Sequence, residues 1–483
     1  MHEFLQPVSP IEYHVDFTGA GVERRRSGAG VVAGDKDAFT TGFYLDDEMI
    51  GYPFCQNLDP LLADWIDVAF FAYVADRLSP RRDPKNPQRM FQWARRMNLK
   101  VPVRRLDVWQ QPGVAAAVCD LLRHFTDDDW HFEFVARRDR GRSAAQQRYL
   151  FTSPQSGPMR VALYSGGLDS FAGAAQQCAE LSDHSFVFVS GETNPRQRAA
   201  RREQVRALVQ QFKREVCHVT VPFRIDWRGK THKGVEDTSQ RTRGFLFSTL
   251  GAVAAITAGS SELYIYENGI GAINLPYDAT QLGTSNSRAV HPLSLLRMSR
   301  FAELLTGNPF AFQNPYLFQT KGEMCRHPAV RGVASYLPLT FSCDGFPVQT
   351  KGKPQCGSCT SCLLRRLSLE AAKLSAFDTG DRYICDLLTL GAKASERQLQ
   401  NLRAMEWQYR KISQRLAGKS PWQSLVTEFP ELQALASEVG SSWEGAESGG
   451  KIERPLLKLY ARYVAEWGRF SARERLGTRA RAA

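Results

Sequence analysis

Residues 159–170 read MRVALYSGGLDS, and this stretch decides the fold. An apolar run interrupted only by Arg160 meets Ser165-Gly166-Gly167-Leu168-Asp169-Ser170, and SFAGAAQQCAELS (170–182) continues with helical spacing. A strand that turns through glycines into a helix leaves backbone N–H groups free at the helix N-terminus, where an anion is stabilised. Ser165 and Ser170 add hydroxyls, and Asp169 adds a carboxylate suited to holding a magnesium ion beside phosphates. The chain has no GxxxxGK[ST] element, so a nucleotide would not be held in the Walker manner. The plain alternative is an ordinary glycine-containing strand-to-helix turn.

Outward from this junction, SFVFVSG (185–191), CHVTVPF (217–223) and SELYIYENG (261–269) are strand-like. They alternate with the helix-like RQRAARREQVRALVQQFKRE (196–215) and RTRGFLFSTLGAVAAITAG (241–259). This order predicts an α/β fold with a doubly wound parallel sheet and helices on both faces, spanning residues 158–375. Residues 1–157 read as an N-terminal α+β module that could dock a partner. Within it PLLADWIDVAFFAYVADRL (60–78) has helical spacing, and WHFEFVARRDRGRSAAQQRYLF (130–151) reads as two strands around a basic turn. The segment 79–105, with Phe91 and Trp93 among basic residues, reads as a solvated loop and helix face or as a docking surface for an acidic partner or RNA. Residues 376–483 read as a C-terminal helical module with a Gly/Ser-rich break at 440–451 and a basic tail.

At 483 residues the chain is long enough for roughly three domains. With 43% hydrophobic and 23% charged residues it is neither disordered nor collagen-like. The net charge of +12 would favour nucleic acid if concentrated on one face, and is equally explained by a solvated surface. No apolar run approaches the roughly 18 residues of a spanning helix, and MHEFLQPVSPIEYHVDF has no signal-peptide pattern, so a cytoplasmic protein without membrane contact is expected.

Of ten cysteines, four are clustered: Cys343, then Cys356-x-x-Cys359-x-x-Cys362. Two-residue spacings let a tight turn, favoured by Gly357, present successive sulfurs to one centre, and the distant fourth closes a tetrahedral zinc site. An iron–sulfur cluster uses the same ligand type, and free or redox thiols are the remaining alternative. Zn²⁺ held structurally is the expectation. The other six cysteines read as small buried hydrophobes.

At these two motifs the sequence resembles the PP-loop ATPases, whose fingerprint is SGGxDS, and within them the QueC type, 7-cyano-7-deazaguanine synthase. Gln197, Arg198 and Glu203 resemble the element after the second strand. RTRGFLFSTLGAVAA resembles the arginine-led helix, QTKGEMCR (319–326) the TKxE segment, and LPLTFSCDG with CGSCTSCLLRR the zinc-binding end. The resemblance covers roughly residues 159–370 and implies an ATP-dependent ligase. A carboxylate on 7-carboxy-7-deazaguanine would attack the α-phosphate of Mg-ATP, ammonia would open the acyl-adenylate to an amide, and a second activation would give the nitrile. The ATP-binding residues implied are Ser165, Gly166, Gly167, Leu168, Asp169 and Ser170.

Around this core, Asp169, Ser170, Arg243 and Lys321 are the expected catalytic residues. Arg243 could hold phosphate or the substrate carboxylate, or simply sit on a helix surface. Lys321 could contact nucleotide, while Glu323 could cap or pair. Glu267, Asn268 and Arg198 are the expected substrate-binding residues; Glu267 and Asn268 end an apolar strand, where they could read a purine-like base or make a turn. His291 reads as a core or loop histidine rather than a base.

The family's housekeeping enzyme is a shorter single domain, whereas this chain adds modules at both ends and a longer insert between the first two zinc cysteines. That enlarged form resembles QueC-like proteins of bacterial antiphage systems, the Qat type and the type IV cyclic-oligonucleotide type. It implies a co-encoded defence protein as partner, an amine of which could take the activated acyl group, and is compatible with a homodimer. The competing function classes are a tRNA-modifying PP-loop enzyme and a non-catalytic nucleotide-sensing scaffold.

Overall fold

The structure is a computed structural model, and it describes residues 11–19, 28–33, 38–81, 94–138, 157–226, 237, 239–277, 288–345, 352–387, 394–439 and 452–482. Ten strands form one sheet in the order β10-β9-β6-β7-β8-β3-β2-β1-β4-β5. The strands are β1 (Ile11–Asp16), β2 (Gly28–Ala33), β3 (Ala38–Leu45), β4 (Arg95–Val103), β5 (Asp129–Ala136), β6 (Met159–Leu163), β7 (Ser185–Glu192), β8 (Val216–Asp226), β9 (Glu262–Ile265) and β10 (Ala311–Gln313).

From β8 to β10 every pairing is parallel, which is the α/β core expected from the alternating pattern. Its strands are apolar on both faces because both are covered. Ala162, Tyr164, Phe186 and Phe188 point into a core with Leu168 and Phe171 of helix α2 (Leu168–Glu180) and Val205 and Leu208 of α3 (Pro195–Phe212). Val161, Val187, Val189, Val219 and Val221 point the other way, onto Phe245, Leu246 and Leu250 of α4 (Arg243–Thr257) and Phe70 and Phe71 of α1 (Pro60–Leu78).

The N-terminal residues extend this sheet. β3 lies antiparallel on β8, pairing Gly42 with Asp226 and Leu45 with Phe223, and β2 and β1 continue antiparallel before β4 and β5 add a parallel pair. The division placed at residue 157 therefore separates two stretches of chain within one sheet and one apolar core. Helix α1 begins at Pro60 behind Asp59, whose carboxylate accepts from the Leu61 amide, and is buried on nearly all sides.

The basic segment 79–105 differs from its reading. Residues 82–93 lie outside the described residues, but Arg95–Val103 is strand β4, with Met97, Leu99 and Val101 in the core. Arg95 is fully buried because Asp76 and Asp128 neutralise it, at 2.5 and 2.6 Å from its Nη2. The two strands expected in 130–151 are represented by β5; the second half lies outside the described residues.

The C-terminal region is helical: Glu396–Leu416, Pro421–Glu428, Glu431–Val439 and the long Glu453–Ala482. The helical spacing expected from Asp381 onward is not met over 381–386, which end a short 3-10 turn and continue irregularly; residues 388–393 lie outside the described residues. The helices share a core with Ile270, Leu317, Leu363 and Leu367 of the central region. The Gly/Ser-rich break lies outside the described residues. Among the described residues no helix is long and apolar enough to cross a membrane.

Candidate functional site

In the parallel half the order β8-β7-β6-β9-β10 reverses direction at β6, so the loops leaving β6 and β9 diverge and open a crevice at their carboxyl ends. The loop after β6 is Ser165-Gly166-Gly167, and Gly167 is the N-cap of α2. Gly166 has φ +77°, and a Cβ there would lie 2.8 Å from Cγ of Arg201. Glycine is required both for that left-handed backbone and for the close approach.

The loop's carbonyls are tied down from α3. Arg201 Nε donates to Ser165 O at 2.9 Å and its Nη1 to Gly191 O at 3.2 Å. Gln204 Nε2 donates to Gly166 O at 3.2 Å and is itself fixed by the Tyr164 hydroxyl, 2.6 Å from its Oε1. Burial pushes the Arg201 guanidinium down to about 10, with Glu192 opposing the shift. With its oxygens held away, the loop presents its amide edge and the first-turn N–H groups of α2, which have no partner within the helix. Ser170 Oγ donates to Gly167 O at 3.1 Å and lies 3.1 Å from Ser165 Oγ, which accepts from the Gly167 amide at 3.2 Å.

Beside the loop sits a cluster of buried charge. Lys321 Nζ is 2.7 Å from Asp169 Oδ2, and Asn268 Nδ2 donates to Asp169 Oδ1 at 2.9 Å and to Glu267 Oε1 at 2.8 Å. Burial pushes the Glu267 carboxyl up to about 8, and the Asp169 charge adds to the shift while Lys321 opposes it. Burial alone would lower Lys321, yet the Asp169 and Glu267 charges hold its ammonium well above the ordinary range. The cluster thus carries two carboxyl groups against one fixed cation, facing a cleft of about 500 Å³.

Ser165, Gly167, Leu168, Asp169, Glu267 and Lys321 line that cleft. Gly166 and Ser170 work inside the loop. Asn268 is fully buried, with Oδ1 accepting from the Gly271 amide at 2.9 Å, so it braces the two carboxyl groups instead of reading a base. Glu323 is a capping residue: with Thr320 it forms a capping box at the helix carrying Lys321. Arg198 is turned to Glu192 at 2.6 Å, and Arg243 is exposed, 3.2 Å from Gln240 Oε1 and over the Phe247 ring; neither lines the cleft. Both were expected in the site from the resemblance of their segments to the family's elements, but their side chains leave in other directions. His291 caps a helix through Nδ1, and burial with Arg288 and Arg297 pushes it down to about 4.

The far wall was not legible as a wall. Phe341, Ser342, Asp344, Thr360, Ser361 and Asn401 form it, drawn from the zinc-type end and the C-terminal helices. For all but Asn401 the one sequence signal is adjacency to the clustered cysteines, and Asn401 has none: it arrives through the fold, donating from Nδ2 to Ser358 O at 2.8 Å.

Those cysteines meet. The Sγ atoms of Cys343, Cys356, Cys359 and Cys362 all lie within 4.8 Å of one another. Sulfurs on a tetrahedral zinc with bonds of about 2.3 Å stand about 3.8 Å apart, and Cys356 Sγ to Cys362 Sγ is 3.9 Å. The amides of Cys356, Cys359 and Cys362 donate to the sulfurs of Cys343, Cys356 and Cys359 at 3.3–3.4 Å, a donor set that favours thiolate. The four cysteines could therefore hold a metal such as zinc. Gly357, at φ +88°, makes the turn between ligands and lies against the Cys385 carbonyl, where no side chain fits. No family model matches the chain, and no curated protein does either.

Proposed function

We propose that the chain is a QueC-like PP-loop enzyme that uses Mg-ATP to activate a carboxylate on a deazaguanine such as 7-carboxy-7-deazaguanine. The observation that carries this reading is the SGGLDS loop, open at a switch-point crevice and flanked by the Asp169–Lys321–Glu267 cluster. In this reading the α2 N-terminal amides and the Ser165 hydroxyl hold the departing pyrophosphate, and Lys321 offers a fixed positive charge to the phosphates. Asp169 would hold Mg²⁺, which supplies further charge neutralisation. The substrate carboxylate oxygen attacks the α-phosphorus, the bond to the bridging oxygen breaks, and pyrophosphate leaves. An amine then attacks the acyl carbon and displaces AMP. The chain need supply no nucleophile. The far wall of the cleft would take the deazaguanine, and the cysteine-bound zinc would be structural.

The enlarged chain fits a role in antiphage defence in which the amine belongs to a co-encoded partner protein. The test is incubation of the zinc-loaded protein with Mg-ATP and 7-carboxy-7-deazaguanine, with and without ammonia, followed by mass spectrometry, with Asp169→Ala as control. Amide or nitrile product supports the reading. ATP consumed only with a partner that gains mass supports the conjugating form. No pyrophosphate release under any condition sinks it and turns attention to RNA substrates or to a nucleotide-sensing scaffold.

A further inference from the structure

The helix Glu453–Ala482 carries none of the motifs, yet it touches both turns that deliver polar groups to the cleft. One is the turn after β9. A Cβ on Gly269, next to Asn268, would lie 2.6 Å from Cδ2 of Leu459. The other is the turn into the Lys321 helix. A Cβ on Gly322, next to Lys321, would collide with the carboxylate of Glu466. Between the two, Arg462 Nη2 donates to Phe318 O at 2.6 Å and its Nε lies 3.2 Å from Glu323 Oε1. Residues 459, 462 and 466 fall on one helical face, so one rigid rod meets both turns.

Glu466 is the unusual member. Its side chain is 3% exposed, and Arg326, the nearest cation among the described residues, stands 3.7 Å away and is itself half exposed. Burial pushes this carboxyl up to about 7, with Thr320 and Arg326 opposing the shift and Glu323 adding to it. A carboxyl so placed costs stability, and its close hydrogen bond goes to one atom: Thr320 Oγ1 donates to Glu466 Oε1 at 2.8 Å. Thr320 has a single hydroxyl proton, and the same oxygen accepts from the Glu323 amide at 3.0 Å. Spending the proton on Glu466 therefore fixes the rotor of the N-cap. Lys321 is the next residue, and its ammonium reaches Asp169 Oδ2 at 2.7 Å.

We infer that Glu466 is a positioning residue: through Thr320 it sets the start of the Lys321 helix and so holds the Lys321 ammonium against Asp169 of the glycine loop. The C-terminal helix is then part of the cleft's machinery, whatever anion the cleft takes. The inference goes beyond the QueC-like reading and does not need a deazaguanine.

The test reads Lys321 directly. The full chain is pulsed with acetic anhydride well below its melting temperature, and acetylation of Lys321 is measured by mass spectrometry against the exposed Lys458 of the same helix. In Glu466→Ala, acetylation of Lys321 should rise about tenfold or more, the scale of losing a buried hydrogen bond to a charged group. Glu466→Gln keeps an acceptor for Thr320 and should stay near the parent. Gly322→Ala, which pushes Glu466 away from the opposite side, should behave like Glu466→Ala. Leu435→Ala removes core from the same helical region without touching either turn and serves as the control for general loosening. Equal Lys321 acetylation in Glu466→Ala and Leu435→Ala at matched melting temperature would overturn the inference, as would a glutamine variant as reactive as the alanine. ATP titration of the same proteins separates the two claims: absence of binding by the parent strikes at the proposed function and leaves the acetylation result standing.

Discussion

The N-terminal half of the sheet and the switch-point cleft both bury carboxylates against cations, and they balance them differently. In the N-terminal half Arg95 bridges Asp76 and Asp128, Arg81 forks onto Asp128 at 2.7 and 2.6 Å, and Asp76 also accepts from Thr242 Oγ1 at 2.8 Å. Burial would lower the Arg95 guanidinium, but the two aspartates raise it well beyond its ordinary range. In the cleft, Lys321 is the one cation paired with Asp169 among the described residues, and Asp169, Glu267 and Lys321 line an open cavity. A closed network of paired charges fixes a fold, whereas a single buried pair beside a raised carboxyl, all lining a cavity, is the arrangement expected of a ligand site.

Chelation should separate the halves most sharply. A structural zinc contributes roughly 10–16 kcal/mol of binding energy, so removing it should unfold the far wall around Phe341–Ser342 and Thr360–Ser361. Hydrogen exchange should accelerate over residues 341–387 and stay unchanged in β4 and β5. Equal acceleration in both halves would mean that the comparison is drawn in the wrong place. Next in size, Arg95→Ala takes from Asp76 its close cation and leaves Asp128 to Arg81 alone, and should cost about 3–5 kcal/mol in denaturant unfolding, with the cleft's ligand binding kept where the protein is still folded. Under the proposed reading Asp169→Asn should lower ATP turnover by about 10²–10³ and cost less in unfolding than Arg95→Ala, because Glu267 remains to balance Lys321. If Asp169→Asn destabilises as much as Arg95→Ala, the cleft cluster is structural too.

The pH response should be the smallest effect. The Glu267 carboxyl is raised from 4.5 to about 8 in the fold, so between these values the folded protein keeps a proton that the unfolded chain gives up. Its contribution is fully present below about pH 4.5 and is lost as pH rises through about 8. The melting temperature should fall across this window, and Glu267→Gln should flatten the fall. An identical slope in the variant would move the titration to another group.

Much of the site was legible because its signals are short-range. Ser165–Ser170 announces a strand, a tight turn and a helix start within a dozen residues, and the CxxCxxC spacing announces convergent sulfurs. Arg243 and Arg198 show the limit of such reasoning: resemblance of their segments placed them in the site, and the direction in which each side chain leaves its helix turns it away from the cleft. Arg201 and Gln204 were passed over although they hold the loop, since polar residues three apart on a basic helix look like a solvated face until the loop is seen beneath them.

From its sequence alone the chain declared an α/β core, a glycine loop at a helix N-terminus and a four-cysteine cluster, because backbone conformation and ligand spacing are set by neighbouring residues. Only the tertiary structure joined the N-terminal strands to β8, brought the cysteine end across to face the loop, and laid Leu459 and Glu466 on the turns beside Asn268 and Lys321. Those contacts join residues more than a hundred positions apart, and which surfaces meet over such distances is decided by the fit of whole apolar faces, a quantity no local pattern carries.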